Sequence, residues 1–345
     1  MKKILVNCLH ITNEASGVKN RIIQLYAHLS LNKKYKISFL IHRDVKFDYE
    51  IPHNITFIKT NLSSASFIQR YLSSKKIVKE IAKKEKFHFY DHSFLPFISY
   101  PGATSFFTIH DLRYLNKKLS FNFCKYILFK YLTNWAIIKA DKVLTVSNFI
   151  KKSIEKNFKF SKIFVIPNFL NPLFLKKTKK KRLFQNSYLL TIGHLEKRKN
   201  ILFLIDAYSD LLTKNIYTGK LLLATSSGDI ESEVEKKIQI LKLNKKVVIL
   251  KNLNNDKIIN LYDHADCFIF PSMYEGFGIP ILEALSRNCK LLLSNNQAFK
   301  EVTLNKFIYF NFNSIKDFQN KFISVISSKI NHKRKKTILK KYSII

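Results

Sequence analysis

The sequence predicts an α/β protein made of two doubly wound domains, and three observations carry that expectation. Short apolar runs suited to buried parallel strands alternate with amphipathic helical segments almost from end to end of the 345 residues. The alternation breaks once, after Pro167-Asn168, and restarts at Tyr188. The chain has only 7 glycines, and four of them (Gly17, Gly193, Gly276 and Gly278) stand where a strand should give way to a helix.

In the first half, Ile4 to Val6, Ile37 to Ile41, Ile55 to Ile58, Phe87 to Tyr90, Ser105 to Ile109, Val143 to Val146 and Phe164 to Ile166 read as strands. Val18, Ile22, Leu25, Tyr26 and Leu29 keep helical spacing, as do Ile68, Tyr71, Leu72, Val78 and Ile81. In the second half, strands are expected at Tyr188 to Ile192, Leu221 to Ala224, Val247 to Leu250, Cys267 to Phe270, Lys290 to Leu293 and Phe307 to Phe310. A helix marked by Ile201, Leu204, Ile205, Tyr208, Leu211 and Leu212 follows the first of these. The expected domains are residues 1–168 and 187–330, with a basic linker over 169–186 and a basic tail over 331–345. Two such domains are expected to face each other across a cleft at the carboxyl ends of both sheets, where ligands bind in doubly wound folds.

Composition narrows the class. At 46% hydrophobic the chain can bury two ordinary cores. No run approaches the roughly 18 to 20 apolar residues that span a bilayer. Met1-Lys2-Lys3 leads straight into Ile4-Leu5-Val6 without a signal-peptide pattern. The expected location is therefore cytoplasmic, extending to a peripheral position at the inner face of the membrane. Cys8, Cys124, Cys267 and Cys289 show no paired spacing for zinc or redox chemistry and are expected to be buried free thiols.

The net charge of +36 raises the question of a nucleic-acid partner. The lysines are strewn along every predicted helix of a chain equally heavy in Asn, Ile, Phe and Tyr. That pattern is a compositional bias rather than a groove, so no nucleic-acid partner is expected. The run Lys176-Lys177-Thr178-Lys179-Lys180-Lys181-Arg182 reads either as a solvated linker or as a segment resting on an anionic membrane surface. Tyr126, Ile127, Phe129, Tyr131, Leu132 and Trp135, set among lysines, fit either a membrane-surface helix or a plain core-facing one.

The most informative stretch runs from Pro271 to Leu285, reading PSMYEGFGIPILEAL. It follows a strand-like Cys267-Phe268-Ile269-Phe270, places a glycine loop before a helix start, and carries two carboxylates, Glu275 and Glu283, seven residues lying between them. Pro280 suits the first helical position, having no N–H to leave unpaired. Gly276 and Gly278 let the backbone approach a ligand, and the free N–H groups of the following helix favour a phosphate or another anion.

These residues together resemble the retaining glycosyltransferases of family 4 (glycosyl transferases group 1), which have the two-domain GT-B architecture. The main signature is the glutamate pair within P-S-x-x-E-G-F-G-x-P-x-x-E-A, met here from Pro271 to Ala284. Ser16-Gly17-Val18 resembles the family's amino-terminal glycine loop, and His110-Asp111-Leu112 its H-D-L segment. Ala140 to Ser147 resembles its A-D-x-v-x-x-V-S stretch, and Gly193 to Asn200 its G-x-x-x-x-R-K-N loop.

The resemblance implies transfer of a sugar from a nucleoside diphosphate sugar, GDP-mannose first and UDP-linked sugars close behind, to an acceptor hydroxyl with retention at the anomeric carbon. It implies that Glu283 accepts hydrogen bonds from the ribose and that Glu275 lies against the transferred sugar. Arg198 and Lys199 are expected to neutralise the diphosphate as it leaves. His110 is expected to bind the sugar's 6-hydroxyl from the first domain. Backbone amides at Gly17, Gly276 and Gly278, with Gly193 and Phe277 in the same loops, are expected to line the donor. The acceptor is a glycan or a lipid-linked sugar in cell-surface polysaccharide or glycolipid synthesis, recognised by the first domain.

Three departures from the family pattern stand out. His194 follows Gly193 where many relatives have arginine, which shifts the diphosphate onto Arg198 and Lys199. Phe169 follows Pro167-Asn168 where glycine is usual. Tyr342-Ser343-Ile344-Ile345 falls about where relatives build a last helix, so that element is expected to be short or missing. With no D-x-D motif and no His/Cys/Asp cluster of ligand spacing, neither a metal nor another cofactor is expected. Two alternatives stand beside this reading: a sugar-nucleotide epimerase of the same architecture, opposed by the whole Glu275 to Glu283 pattern, and a non-catalytic nucleic-acid-binding protein, favoured by charge alone.

Overall fold

The computed structural model describes residues 1–13, 17–46, 51–61, 67–116, 123–176, 181–226 and 228–343, without the side chains of 67, 68 and 70. Ser16, the Ile68 side chain and residues 177–180 of the basic run lie outside them. Two compact units divide between Phe169 and Leu170.

The first unit runs β1 (Lys2–Asn7), α1 (Gly17–Ser30), β2 (Tyr35–His42), β3 (Ile55–Thr60), α2 (Phe67–Lys84), β4 (Phe89–His92), β5 (Thr104–Ile109), α3 (Phe123–Lys139), β6 (Lys142–Thr145), α4 (Asn148–Phe158) and β7 (Ile163–Val165). Among the described residues, its strands form one parallel sheet in the order β3-β2-β1-β4-β5-β6-β7. The period of two along each strand builds a core on either face. Ile4 and Val6 of β1, with Ile37, Phe39 and Ile41 of β2, pack with Ile22 and Tyr26 of α1. Leu5 and Leu40 point the other way, into the cluster around Val78 of α2.

The second unit runs β8 (Tyr188–Ile192), α5 (Ile201–Thr213), β9 (Lys220–Ala224), α6 (Glu231–Ile240), β10 (Val247–Leu250), α7 (Asn255–His264), β11 (Cys267–Phe270), α8 (Ile279–Ser286), β12 (Leu291–Ser294), α9 (Gln297–Val302), β13 (Tyr309–Phe310), α10 (Ile315–Ser327) and α11 (His332–Tyr342). Its parallel sheet has the order β10-β9-β8-β11-β12-β13 among the described residues. Strands such as Cys267-Phe268-Ile269-Phe270 are buried on both faces, as a parallel sheet covered by helices on both sides requires.

In each sheet the strand order reverses once, between β1 and β4 in the first and between β8 and β11 in the second. Loops leaving the carboxyl ends of two neighbouring strands there turn to opposite faces, and the crevice between them is where such folds hold ligands. The glycine-bearing loops after β8 and β11 flank the second switch point.

Three expectations are corrected. Residues 331–345 were expected as a tail, but His332–Tyr342 is a helix, capped by Asn331 through the Arg334 N–H, with Ile338 and Tyr342 buried. Its lysine-rich outer face hides a two-residue apolar contact from a compositional reading. Residues 169–186 were expected as a linker, yet Pro172–Leu175 forms a 3₁₀ turn with Phe174 buried. The Phe174 carbonyl accepts from Ser286 Oγ and Arg287 Nη1, which holds that turn to the end of α8. Cys124 is exposed on α3, whereas Cys8, Cys267 and Cys289 are buried.

Candidate active site

After β8 the chain turns at Gly193 with φ +150. A Cβ there would lie 3.2 Å from both Cε and Nζ of Lys199. The glycine therefore does two things: it takes a backbone conformation that L side chains avoid, and it leaves room for the lysine. Lys197–Lys199 then makes one 3₁₀ turn that ends at Asn200 with φ 57. Asn200 Nδ2 donates to the Phe312 carbonyl at 3.0 Å, which fixes the start of α5.

The turn presents two cations to one carboxylate. Arg198 Nη1 lies 2.7 Å and Lys199 Nζ 2.6 Å from Glu275 Oε1. Arg198 Nε also reaches Glu196 Oε2 at 2.6 Å. The loops after β8 and β11 are tied through backbone as well, since the Met273 N–H donates to the Arg198 carbonyl at 2.8 Å. Lys199 is buried, with its ammonium 4.8 Å from the centre of the Phe270 ring.

Burial by itself would raise the Glu275 carboxyl, but the charges of Arg198 and Lys199 outweigh it and hold its pKa at about 2. On Lys199 burial is the largest influence and, with the nearby Arg198 charge, lowers its pKa against the opposing pull of Glu275 and Glu196. Two cations and two carboxylates, Glu196 and Glu275, thus lie within ion-pair distance of one another, a charged cluster close to locally neutral. An anion reaching these side chains would find positive partners already positioned.

The loop after β11 closes at Gly278, with φ +113, where a Cβ would come within 3.1 Å of Ile281 Cδ1 and Phe299 Cε1. Helix α8 starts at Ile279, so Pro280 is its second residue rather than its first. Glu283 is the fifth, which places it in the second turn. Its carboxylate is buried and accepts from Tyr262 Oη of α7 at 3.1 Å. Burial pushes its pKa up to about 7, with the Tyr262 hydrogen bond opposing. Gly276 and Phe277 are buried between the two glutamates in sequence, and the Phe277 ring meets Tyr342 of α11 edge-on at 5.4 Å.

In the first unit, Gly17 opens α1 and His110 follows directly after β5. His110 does not stand alone there. His10 follows β1 and His92 ends β4, so all three imidazoles leave the carboxyl ends of neighbouring strands. His92 Nδ1 contacts Tyr90 Oη at 3.0 Å and Asn7 Nδ2 at 3.3 Å. Phe94 stacks on His92 at 4.1 Å and lies 4.4 Å from His10. Both nitrogens of His10, and Nε2 of His92 and of His110, are buried without a hydrogen-bond partner.

Burial lowers the pKa of His10 to about 4. Burial and then His10 take His92 to about 3, and burial with Arg21 and His10 carries His110 well below its ordinary value. All three are neutral near pH 7, each offering one donor and one acceptor, a set that suits hydroxyl groups. Arg21 of α1 is buried beside them, donating through Nη1 to the carbonyls of Ile166 at 2.7 Å and Pro167 at 3.2 Å.

Sequence reading missed His10, His92 and Arg21. Arg21 had a signal: it stands four residues before Leu25 and three after Val18, on the apolar stripe of α1. Gly228 was also passed over as a site residue. A Cβ there would lie 2.1 Å from the Leu195 carbonyl oxygen, and the Ile230 N–H donates to that same oxygen at 3.1 Å. The segment after β9 therefore lies hard against the loop that carries Arg198 and Lys199. Among the described residues, no group of three or more His, Cys, Asp or Glu side chains is placed to hold a metal ion.

Two Rossmann-like units, each with its polar residues at the switch point, define a protein of the GT-B class. Residues 175–343 match the family described as glycosyl transferases group 1, and residues 15–172 match glycosyltransferase family 4. The chain belongs to the group 1 glycosyl transferases and has the GT-B fold. It is 29% identical over 218 residues to an O-antigen chain mannosyltransferase, RfbU, of Salmonella typhimurium, a stretch that covers 62% of this chain and 58% of that one. It is 28% identical over 180 residues to a UDP-Gal:alpha-D-GlcNAc-diphosphoundecaprenol alpha-1,3-galactosyltransferase of Escherichia coli, covering 49% and 46%. The chain thus spans about half the length of these curated relatives. A sucrose-phosphate synthase structure from Thermosynechococcus elongatus superposes with a TM-score of 0.83 over 99% of this chain and 95% of its own, at 14% identity, which speaks to the fold alone.

Proposed function

We propose that the protein is a retaining, metal-independent glycosyltransferase of family 4 that moves a sugar from a nucleoside diphosphate sugar to an acceptor hydroxyl in surface-polysaccharide or glycolipid synthesis. The observation that carries the reading is the convergence of the partly buried Arg198 and the buried Lys199 on Glu275 at the switch point of the second sheet.

The diphosphate seats on Arg198 and Lys199, with the amides of Gly276 and Gly278 nearby and Gly193 giving it access. Glu283, ionised on binding, accepts from the ribose hydroxyls, and Glu275 is freed toward the transferred sugar as the phosphate takes over its cations. His110 holds the sugar's 6-hydroxyl, and Gly17 at the start of α1 contributes a backbone amide. In the reaction the bond from C1 of the sugar to the phosphate oxygen breaks and the acceptor oxygen bonds to C1 on the same face. The acceptor proton passes to the departing phosphate oxygen, whose charge Arg198 and Lys199 stabilise in place of a metal; losing one such partner typically costs about 100- to 1000-fold in turnover.

The mannosyl name of one relative favours GDP-mannose, and the UDP-Gal named for the other keeps UDP-sugars as the second donor class. That relative's diphosphoundecaprenol acceptor supports a lipid-linked acceptor and a membrane-surface workplace. No described helix is long and apolar enough to cross a membrane, so the proposed attachment is peripheral. The test is turnover of GDP-mannose and of UDP-hexoses with membrane extracts as acceptor, reading product linkage by NMR. Product with inverted anomeric configuration, or no transfer from any donor, contradicts the reading.

A further inference from the structure

We propose that the outer face of α3, with the adjoining end of α4, is the surface by which this protein docks on an anionic lipid bilayer. The sequence of α3, FCKYILFKYLTNWAIIK, is apolar nearly all round, but only Thr133, Ala136 and Ile137 are fully buried. Phe129 and Trp135 turn inward, Phe129 toward Tyr114 at 5.8 Å and Trp135 toward Phe97 at 6.3 Å. The opposite side is a stripe of Phe123, Ile127, Tyr131 and Ile138, at helical spacings of four, four and seven, with Leu128 beside it. Phe123 is 71% exposed, Tyr131 66% and Ile138 68%. The stripe runs about 22 Å along the helix.

An amphipathic surface helix of a soluble protein turns such residues toward its core. Five large apolar side chains together on one outer face mark an interaction site rather than scattered surface residues.

The charges around the stripe select the partner. Lys125, Lys130 and Lys139 are the charged residues of α3, and no carboxylate stands in it. Lys130 Nζ lies 5.8 Å from the centre of the Tyr126 ring. Between α3 and α4 a shallow groove of about 510 Å³ is lined by Tyr126, Ile127, Lys130, Tyr131, Phe158 and Lys159, among others. Aromatic and aliphatic side chains set among ammonium groups match a headgroup layer, where rings sit at the acyl boundary and lysines reach the lipid phosphates. A second copy is a poorer occupant, because it would oppose two lysine-bearing faces of a chain whose net charge is +36.

The inference rests on the proposed membrane-borne acceptor. Nucleotide binding, carried by the other unit, reports separately on whether the donor reading stands. The experiment is flotation of the full chain with vesicles of phosphatidylcholine alone or with one-third phosphatidylglycerol, at low and high salt. It compares wild type with Ile127→Ser/Tyr131→Ser, with Lys125→Glu/Lys130→Glu, and with Lys176→Ser/Lys181→Ser/Arg182→Ser. Because the α3 side chains are exposed, both α3 variants should keep the wild-type melting temperature and nucleotide affinity.

The expected result is binding of wild type to the anionic vesicles, weakened by salt, and at least about a tenfold drop in partition coefficient for each α3 variant. Full binding by the α3 variants, loss confined to the basic-run variant, or no wild-type binding would overturn the proposal. So would a wild-type dimer that Ile127→Ser/Tyr131→Ser converts to monomer, since the face would then belong to a second copy.

Discussion

Lys199 Nζ stands 2.6 Å from Glu275 Oε1, in space that exists because residue 193 has no side chain. This pair joins the loops after β8 and β11, and a donor diphosphate seated as proposed would compete with Glu275 for the same ammonium. Changing Glu275 to glutamine should therefore separate binding from turnover. Nucleoside diphosphate affinity should hold or tighten, because the phosphate no longer displaces a carboxylate, while kcat falls about 100-fold or more. Calorimetry for binding and radiolabelled sugar transfer for turnover make the comparison; a parallel fall in both would mean that Glu275 serves the loop and not the sugar.

Glu283 gives a pH signature. Its carboxyl is raised from 4.5 to about 7 by burial, so between those values the folded state holds a proton that the unfolded state has released. Folded stability should thus decline as pH rises through that window and level off above it, by about 3 kcal/mol from this group. Glu283→Gln removes that decline, so its melting temperature should gain on wild type at pH 8 and not at pH 4. His10, His92 and His110, lowered by burial, push the other way below their ordinary 6.5, but they act equally in both proteins and cancel in the difference. Nucleotide affinity in wild type should strengthen as pH rises through 7, because ribose hydroxyls donate to the ionised carboxylate.

Gly228 touches no proposed ligand, yet a methyl group there would press on the Leu195 backbone at 2.1 Å. Something in that contact must move, and Leu195 belongs to the loop that carries Arg198 and Lys199. Gly228→Ala should weaken nucleotide binding by about tenfold and destabilise the protein by about 1–3 kcal/mol. Unchanged affinity in calorimetry, with an unchanged melting temperature, would show that the loop does not depend on this approach.

The last helix, α11, packs on α8, and its Tyr342 has two anchors. The Phe277 ring meets it at 5.4 Å and its carbonyl accepts from the Leu170 N–H at 2.9 Å. Tyr342→Ala should cost about 2–4 kcal/mol by cavity formation. It should also loosen the glycine loop, with faster hydrogen exchange at residues 274–278.

Much of this was legible before any coordinates. Cys267–Phe270 and Val247–Leu250 emerged with the bounds expected from their short apolar runs, the first buried throughout in the middle of its sheet and the second on the sheet edge with only Val247 fully buried. The pairing of Arg198 and Lys199 with Glu275 was not readable, since spacing places residues on loops but does not say which charges meet across a switch point. The histidine cluster escaped for a similar reason: His10, His92 and His110 lie on three separate strand ends, and only the order β1-β4-β5 brings them side by side. Helix α11 was misread because lysines dominate its composition while Ile338 and Tyr342, four residues apart, do the packing. The outward face of α3 was undecidable from periodicity, which is nearly absent in a helix apolar on all sides.

The central claim is that the second unit holds a nucleoside diphosphate sugar between Arg198, Lys199 and Glu283. Titrating GDP and UDP into the wild-type protein and into Glu283→Ala by isothermal calorimetry addresses it most directly. One nucleotide should bind the wild type and lose at least about tenfold in affinity in the variant, in line with the loss of a charged hydrogen-bond acceptor. Failure of the folded wild type to bind either nucleotide, or equal affinity in the variant, would contradict the claim.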